Sequence, residues 1–247
     1  MIELVYGIHA VKSVLDNNAK QILSVYITQK YKDFRLKSLI DQIKQCKISI
    51  KTCDRQQLDI KAQGALHQGI IAEIVQRYCM KENDLPNFLI QCKTTPLLVI
   101  LDGITDPRNL GACLRSADAA GAHIVIAPRN RSARLNGTVR KVASGSVEHI
   151  PFMQVTNLTR TLKLLQNNNI WIIGTIMKSK RLIFNTELIK PLAFVMGSEG
   201  NGIRRLTQKY CNELITIPML GTATSLNVSV ATGICLFETL RQRGKYK

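Results

Sequence analysis

The sequence predicts an α/β protein with two parts, a small N-terminal α/β unit and a larger C-terminal domain built on a mostly parallel sheet. From Pro96 onward, short segments rich in β-branched residues alternate with helical segments, as expected for a buried parallel sheet flanked by helices. A polar stretch separates that half from the preceding residues. We therefore expect domains at 1–76 and 96–247, joined by a linker at 77–95.

In the N-terminal unit, the spacing of apolar residues predicts each element in turn. Apolar residues recur at helical intervals in three segments and are strand-like in three others. The helical segments are 6–15, 36–43 and 56–60, and the strand-like segments are 23–27, 48–51 and 69–75. Within the polar linker that follows, a helical turn can form at 88–92.

In the C-terminal half, five short apolar segments bounded by Gly, Asp or Pro are predicted to be strands. They are 97–101, 124–127, 171–174, 194–196 and 214–217. Parallel α/β proteins bind their ligands at the carboxyl ends of the strands. Three of these ends carry unusual sequences, so we expect a site assembled from them.

The first unusual strand end begins at Asp102. Asp106 is a suitable N-cap, and Pro107 a suitable first residue, for a helix that buries an apolar stripe. That stripe consists of Leu110, Cys113, Leu114 and Ala117. Asn109 and Arg115 lie off the stripe and can face a ligand, although an arginine at such a position is more often a solvated charge.

The second strand end is the glycine-rich sequence GSEGNG at 197–202. Three glycines directly after a strand allow the backbone to fold closely around a ligand, and the alternative is a plain turn. Glu199 would repel a phosphate, so the loop favours a ligand with hydrogen-bond donors or positive charge. The pattern is neither the dinucleotide-binding fingerprint nor a P-loop, which argues against a nucleotide-dependent oxidoreductase.

The third strand end leads into a long C-terminal helix that Ser225 is predicted to cap and that runs to about Arg241. Its predicted buried face consists of Leu226, Val230, Ile234 and Phe237. Ser225, Asn227 and Ser229 lie beside the open backbone N–H groups of the first turn and form a polar corner. Small polar residues at a helix start often only cap it, and capping is the alternative interpretation here.

The charge of the chain indicates a polyanionic partner. Thirty-four Lys and Arg oppose seventeen Asp and Glu, a formal net charge of +17, and a cationic protein gains affinity by releasing counterions from nucleic acid. Five cations lie within thirteen residues that contain no acid, and we expect them to contact RNA phosphates instead of forming a solvated loop. They are Arg129, Arg131, Arg134, Arg140 and Lys141.

The remaining composition favours a cytoplasmic protein without a metal site or a membrane segment. No apolar run approaches the ~20 residues that a membrane helix needs, and the N-terminus does not resemble a signal peptide. The seven cysteines are odd in number and lack a C-x-x-C pair, as expected of reduced thiols. No His, Cys or Asp cluster has the spacing of metal ligands.

Together, the three strand ends resemble the three motifs of the SpoU, or TrmH, family of RNA ribose methyltransferases. The resemblance lies in DPRNLGACLRSADAAGA (106–122), FVMGSEGNGIRRL (194–206) and ITIPMLGTATSLNVSVATGICLFE (215–238). GIHAVKSVL (7–15) and HQGIIAEIV (67–75) resemble the RNA substrate-binding domain of part of this family. The likeness is closest to members that methylate a guanosine ribose in large-subunit (23S) ribosomal RNA.

This resemblance implies a SPOUT-type α/β knot, a deep trefoil, in the C-terminal domain. In the family the knot forms the pocket for S-adenosylmethionine and much of a homodimer interface. The product of the cofactor is S-adenosylhomocysteine. The resemblance implies catalytic roles for Asn109, Arg115, Glu199, Ser225 and Asn227. It implies cofactor contacts from Thr175, Gly197, Ile217 and Leu226.

The implied reaction is attack of a ribose 2′-oxygen on the sulfonium methyl group. Arg115 is often assigned as the base in this family, but a guanidinium with a pKa above about 12 stays protonated. We therefore expect Arg115 to bind the target phosphate or to stabilise the developing alkoxide, while a phosphate or a water accepts the proton. A transfer-RNA ribose methyltransferase and an inactive RNA-binding protein of the same fold are the alternatives.

Overall fold

The computed structural model describes residues 2–29, 33–75 and 80–244, without the side chains of 17 and 18. The chain divides into two compact units. The first comprises Met1–Tyr78 and Leu135–His149, and the second comprises Cys79–Arg134 and Ile150–Lys247. Residues 77–79 of the expected linker fall outside the described residues.

The helices and strands of the described residues follow one another in a mixed order. They are β1 (Ile2–Tyr6), α1 (Ile8–Asn18), β2 (Ile22–Thr28), α2 (Phe34–Gln45), β3 (Ser49–Cys53), α3 (Arg55–Ala62), β4 (Ile70–Val75), α4 (Leu85–Ile90), β5 (Leu97–Asp102), α5 (Pro107–Ala119), β6 (Ile124–Pro128), α6 (Gly137–Ala143), β7 (Phe152–Val155), α7 (Leu158–Asn167), β8 (Trp171–Thr175), β9 (Leu192–Gly197), α8 (Arg205–Lys209), β10 (Glu213–Ile215) and α9 (Val228–Arg243).

The first unit is built on a four-stranded sheet in the order β1-β4-β2-β3. β2 and β3 are parallel, and β4 is antiparallel to both of its neighbours. The three helices and three strands predicted for this region are confirmed, with ends shifted by a few residues. β1 was not predicted because only Val5 of its five residues is buried, so the strand carries no alternating signal.

A segment from the second half of the sequence, 135–149, folds as part of the first unit. Its helix α6 packs closely on β1: a Cβ added to Gly137 would lie 1.7 Å from Cε2 of the Tyr6 ring. This arrangement differs from the expected single C-terminal domain at 96–247. Apolar spacing shows that a segment buries a face, but it does not show which sheet that face covers.

The second unit contains a sheet of six parallel strands in the order β10-β8-β9-β5-β6-β7. The five strands predicted for this half are confirmed, which establishes the mostly parallel α/β class. β7 was not predicted, because its four residues directly follow Pro151 and are too few to show a period. The parallel arrangement brings the carboxyl ends of β5, β8 and β9 to the same edge of the sheet.

The described part of the expected linker belongs to the second unit. α4 buries Leu85 and Leu89 in that unit's core. Nearby, the Glu82 carboxylate accepts hydrogen bonds from the backbone N–H and hydroxyl of Thr156 and from the guanidinium of Arg160. The polar residues of this stretch therefore include ones that hydrogen-bond to the second unit, and the stretch is part of that unit.

Helix α9 turns a different face to the core from the one its apolar spacing predicts. Val230 and Phe237 are 50% and 51% exposed, so the predicted buried face is wrong. The residues that the helix does bury are Val228, Thr232, Cys235, Leu236, Glu238 and Thr239. Small side chains permit close packing against α5, and the hydroxyls of Thr232 and Thr239 are satisfied by carbonyls one turn back in the same helix.

The last turn of α9 is fixed by Arg243. Its guanidinium donates hydrogen bonds to four backbone carbonyls at 2.7–3.2 Å, those of Thr95, Pro96, Leu188 and Lys190. Burial lowers the pKa of this guanidinium. The C-terminal helix is thereby tied to the residues that precede β5 and β9.

Across the described residues, no helix combines the length and apolar character needed to cross a membrane. The six cysteines described are free thiols: Cys46, Cys53, Cys92, Cys113, Cys211 and Cys235.

Candidate active site

A cavity opens at the carboxyl ends of β8 and β9 in the second unit. This is the edge of the sheet at which parallel α/β proteins bind their ligands. Its lining includes the four residues expected to contact the cofactor, which are Thr175, Gly197, Ile217 and Leu226. Parallel strands thus bring these four residues together although they are spread over about 50 positions of the sequence.

The glycine-rich loop after β9 is folded tightly against itself. Ser198 and Gly202 exchange backbone hydrogen bonds of 3.2 and 2.9 Å. A Cβ on Gly197 would lie 2.1 Å from the carbonyl carbon of Gly202 and 2.2 Å from the nitrogen of Ile203. Gly200 has a φ of +85°. The loop therefore needs glycine at 197 for close approach and at 200 for its backbone conformation.

Asp102 anchors the exit of this loop, a role that its position at the end of a predicted strand did not indicate. It lies opposite Gly197 in the β5–β9 pairing and is 1% exposed. Its Oδ2 accepts a hydrogen bond of 3.1 Å from the backbone nitrogen of Arg204, and Arg204 Nε lies 3.5 Å from Oδ1. A charged residue at the end of an otherwise apolar strand was the signal that could have identified it.

Three of the predicted catalytic residues, one from each motif, form a single hydrogen-bonded cluster. Asn109 Nδ2 donates to Glu199 Oε1 at 3.1 Å. Asn227 Nδ2 donates to the same carboxylate oxygen and also lies 2.9 Å from Asn109 Oδ1. Two amides therefore hold the Glu199 carboxylate in a fixed orientation, and Glu199 also lines the cavity.

Asn227 also caps α9, a role that was predicted for Ser225. Its Oδ1 accepts the backbone N–H of Ser229 at 2.9 Å and the hydroxyl of the same residue. The helix begins at Val228, two residues later than Ser225 would require. Ser225 instead lines the cavity.

Arg115 stands apart from this cluster in the structure. It lies on α5, its side chain is exposed, and it has no hydrogen bond or ion pair with any described residue. The helix itself is as predicted, with Asp106 as N-cap and the apolar stripe buried. The guanidinium is therefore available to a ligand outside the chain.

The five cations expected to contact RNA differ in exposure. Arg129, Arg131 and Arg134 are exposed in the second unit, and Lys141 is partly exposed in the first. Arg140 is 6% exposed and forms ion pairs with Glu3 and Glu148. Burial lowers the pKa of Arg140, but the two carboxylates outweigh it and raise the pKa on balance.

Arg140 is thus a structural cation, and it is removed from the expected RNA-contacting set. A guanidinium that is itself buried and already paired with two carboxylates is not accessible to a phosphate.

The thiols near the site are not nucleophiles. Burial raises the pKa of Cys113 to about 11 and that of Cys235 to about 12. Burial, with the nearby Asp102 charge, raises the pKa of Cys211 to about 12. These cysteines stay protonated near neutral pH, and only a thiolate attacks efficiently. The site is therefore suited to orienting and polar contacts, not to forming a covalent thiol intermediate.

Comparison with known proteins gives family matches for both parts of the sequence. Residues 96–237 match the SpoU rRNA Methylase family, and residues 4–78 match a domain described as RNA 2′-O ribose methyltransferase substrate binding. The chain is 56% identical to the 23S rRNA (guanosine-2′-O-)-methyltransferase RlmB of Blochmanniella floridana, over 100% of this chain and 97% of that protein. It is 52% identical to the RlmB of Escherichia coli strain K12, over 98% of this chain and 100% of that protein.

Solved structures share the fold at lower identity. The SpoU methyltransferase AviRb from Streptomyces viridochromogenes, in complex with AdoMet, has a TM-score of 0.80 at 21% identity, covering 98% of this chain and 90% of that one. An AdoMet-bound rRNA methyltransferase from Sinorhizobium meliloti has a TM-score of 0.78 at 23% identity, covering 97% and 87%. These likenesses show the fold.

Proposed function

This chain belongs to the SpoU rRNA Methylase family, and from that premise we propose that it transfers a methyl group from S-adenosylmethionine to a guanosine ribose. The acceptor is the 2′-hydroxyl of a guanosine in 23S ribosomal RNA. The observation that carries the proposal is the cluster of Asn109, Glu199 and Asn227, which joins the three motifs beside one cavity. Full-length relatives with over half of their residues identical support the 23S rRNA guanosine as the substrate.

The cavity fits S-adenosylmethionine by the chemistry of its lining. Ile217, Leu226 and Met196 supply apolar surface for an adenine ring, and the Gly197–Gly202 loop supplies backbone close to the ligand. The Glu199 carboxylate supplies negative charge, which complements a sulfonium or an ammonium group. When bound, S-adenosylmethionine supplies an electrophilic methyl group.

The residues of the chain would mainly orient the acceptor ribose. Asn109 and Asn227 hold Oε1 of Glu199, so that the carboxylate keeps one position. Ser225 and Thr224 line the cavity with hydroxyl groups that can bind a sugar or a phosphate. Fixing the reacting atoms in this way replaces a large entropic part of the barrier.

Arg115 would act as an electrostatic group and not as a base. A guanidinium is a poor base, because it does not give up its proton in proteins. Exposed and without a partner among the described residues, it can bind the target phosphate or stabilise the developing alkoxide. The proton of the 2′-hydroxyl would pass to a phosphate oxygen or to water.

The assembly and the RNA surface belong to the same proposal. We expect a homodimer, because Val230 and Phe237 of α9 are half exposed and exposed apolar side chains grouped on a surface indicate a protein interface. We expect the family's knot between β8 and α9, supported by the pairing of the connections after β8 and β10 at Leu182 and Thr216. Arg129, Arg131 and Arg134 would contact RNA phosphates, and the reaction would run in the cytoplasm without a metal.

The deciding experiment maps 2′-O-methyl groups in ribosomal and transfer RNA from cells with and without the gene. We expect one guanosine methyl to disappear from 23S rRNA and to return when the purified protein and S-adenosylmethionine are added. Loss of a transfer-RNA methyl instead would favour the transfer-RNA enzyme. An unchanged map, together with no cofactor binding in calorimetry, would favour an inactive RNA-binding protein.

A further inference from the structure

The first unit has a cavity of its own beside the loop that connects α3 to β4. All residues that line it belong to the first unit, and none of them lines the cavity of the candidate active site. The α3–β4 loop, residues 63–69, forms one wall of this cavity. We name it the recognition cavity.

The α3–β4 loop is held in one conformation before any ligand binds. Gln63 and Gln68 have φ values of 48° and 51°, in the left-handed region that non-glycine residues rarely adopt. Gln68 Oε1 accepts the backbone N–H of Ile8 at 3.1 Å, which ties the loop to the start of α1. A Cβ on Gly69 would lie 3.1 Å from Thr28 Cγ2, so the loop also packs tightly on β2.

A buried histidine orients a carboxylate at the rim of the recognition cavity. His67 is 6% exposed, and its Nδ1 accepts the backbone N–H of Gly69 at 3.1 Å. Nε2 therefore carries the proton of the neutral ring and donates to Asp59 Oδ1 at 2.9 Å. The Asp59 side chain is 61% exposed and has no other partner among the described residues. Its second oxygen keeps its acceptor capacity.

The other groups at the recognition cavity complete a set suited to a nucleotide. Leu66 is 71% exposed at the tip of the loop. Its side chain therefore does not stabilise the unit by burial, and its apolar surface is open to a ligand. Arg55 lines the cavity, is exposed and has no partner among the described residues. The second lining carboxylate, Asp33, is already engaged by Arg35.

We propose that the recognition cavity binds an unstacked guanine of the substrate RNA, with its base on Leu66, its Watson–Crick edge on Asp59 and a phosphate on Arg55. RNA is recognised largely through unstacked bases that pack on side chains and hydrogen-bond by their edges. Guanine presents two neighbouring donors, N1–H and the 2-amino group, which a carboxylate accepts together. This inference rests on the proposed function, and it names the part of the RNA that the first unit reads.

The experiment uses the full-length protein and an unmodified 23S rRNA transcript. Asp59→Asn keeps an acceptor for His67 but turns a donor toward the base, and Leu66→Ser removes the apolar surface. For each variant we expect a Kd for RNA raised roughly tenfold or more, with an unchanged Kd for S-adenosylmethionine and an unchanged thermal midpoint. The matched controls are Asp41→Asn and Ile60→Ser, exposed positions of the same unit outside the cavity, which we expect to bind as the wild type does.

A second transcript tests guanine itself. Replacing guanosine by inosine removes the 2-amino group, and we expect the resulting loss of affinity to be smaller in Asp59→Asn than in the wild type or in Asp41→Asn. Cavity variants that bind within twofold of their controls, or an equal inosine effect in all proteins, would overturn the inference. A wild type that transfers no methyl group to the guanosine transcript would contradict the proposed function instead, so the two failures are distinguishable.

Discussion

At the scale of single residues, Asn227 performs two separable tasks. Its Oδ1 caps α9, and its Nδ2 donates to Glu199. Asn227→Asp keeps an oxygen for the cap but places a carboxylate against Glu199. We expect it to lower the single-turnover rate roughly 10- to 100-fold, the equivalent of one lost hydrogen bond to a charged group, with little change in the thermal midpoint.

Asn227→Ala is the companion variant. It removes the cap as well, and we expect an additional loss of about 1 kcal/mol in the free energy of unfolding. The two tasks would not be separable if Asn227→Asp destabilised the protein as much as Asn227→Ala does.

The proposed role of Arg115 depends on the charge and the planar shape of its guanidinium. If it stabilises charge through its planar fork, Arg115→Lys should lower the single-turnover rate about tenfold and Arg115→Gln about 100- to 1,000-fold. The pH at which the rate is half-maximal should not move, because Arg115 is not the base. Arg108→Lys, an exposed arginine on the same helix, is the control. A near-normal rate for Arg115→Lys would contradict both proposed roles.

At the scale of elements, the loop after β9 depends on two glycines for different reasons. A Cβ at Gly197 meets backbone 2.1 Å away, whereas one at Gly200 meets nothing within 4 Å and only strains a positive φ. We expect Gly197→Ala to abolish cofactor binding in calorimetry. Gly200→Ala should cost about 1 kcal/mol in the free energy of unfolding and leave binding measurable. Equal effects of the two substitutions would show that steric approach at 197 is not what shapes the cavity.

The exposed stripe of α9 makes a prediction about assembly. Val230→Asp places a charge on a half-exposed position, and we expect it to convert a dimer into a monomer in analytical ultracentrifugation. Ile90→Asp, at a 78% exposed position on α4, should leave the mass unchanged. A wild-type monomer at micromolar concentration would contradict the expected homodimer.

The elements also show what the sequence could and could not reveal. Strands with five consecutive buried apolar residues, such as β5 and β9, were predictable because their composition alone marks them. The buried face of α9 was not readable, because the helix buries the small residues Thr232, Cys235 and Thr239 while Val230 and Phe237 are half exposed. β1 and β7 were missed because too few of their residues follow a period.

At the scale of the whole molecule, the +17 charge acts through the cations that remain free. We expect Arg134→Ala to reduce the slope of log K against log salt for RNA binding by about 0.7–0.9, without changing stability. Arg140→Ala should leave that slope unchanged but lower the free energy of unfolding by about 3–5 kcal/mol, because Glu148 would be buried, and Glu3 partly buried, without their partner. The reverse result, a changed salt slope with unchanged stability for Arg140→Ala, would return Arg140 to the RNA surface.

The sequence indicated which distant residues lie together better than it indicated the path of the chain between them. The four expected cofactor residues line one cavity, and three of the five expected catalytic residues share one hydrogen-bond cluster. Local patterns mark strand ends, and parallel sheets gather strand ends on one edge. Neither the return of 135–149 to the first unit nor a knot leaves a local signal, because both are properties of distant segments.

The return of residues 135–149 to the first unit also orders events during synthesis. Helix α6 and its buried Arg140 follow the end of β4 by about 70 residues, so the N-terminal unit leaves the ribosome without its last helix. At ~5–20 residues per second, that interval lasts roughly 3–14 s. During this interval Glu3 lacks its ion pair with Arg140, and helix α6 does not yet pack against Tyr6. In nascent chains stalled beyond residue 149, the first unit should therefore resist protease better than in chains stalled near residue 120. The N-terminal unit would then be the first to begin folding but not the first to finish.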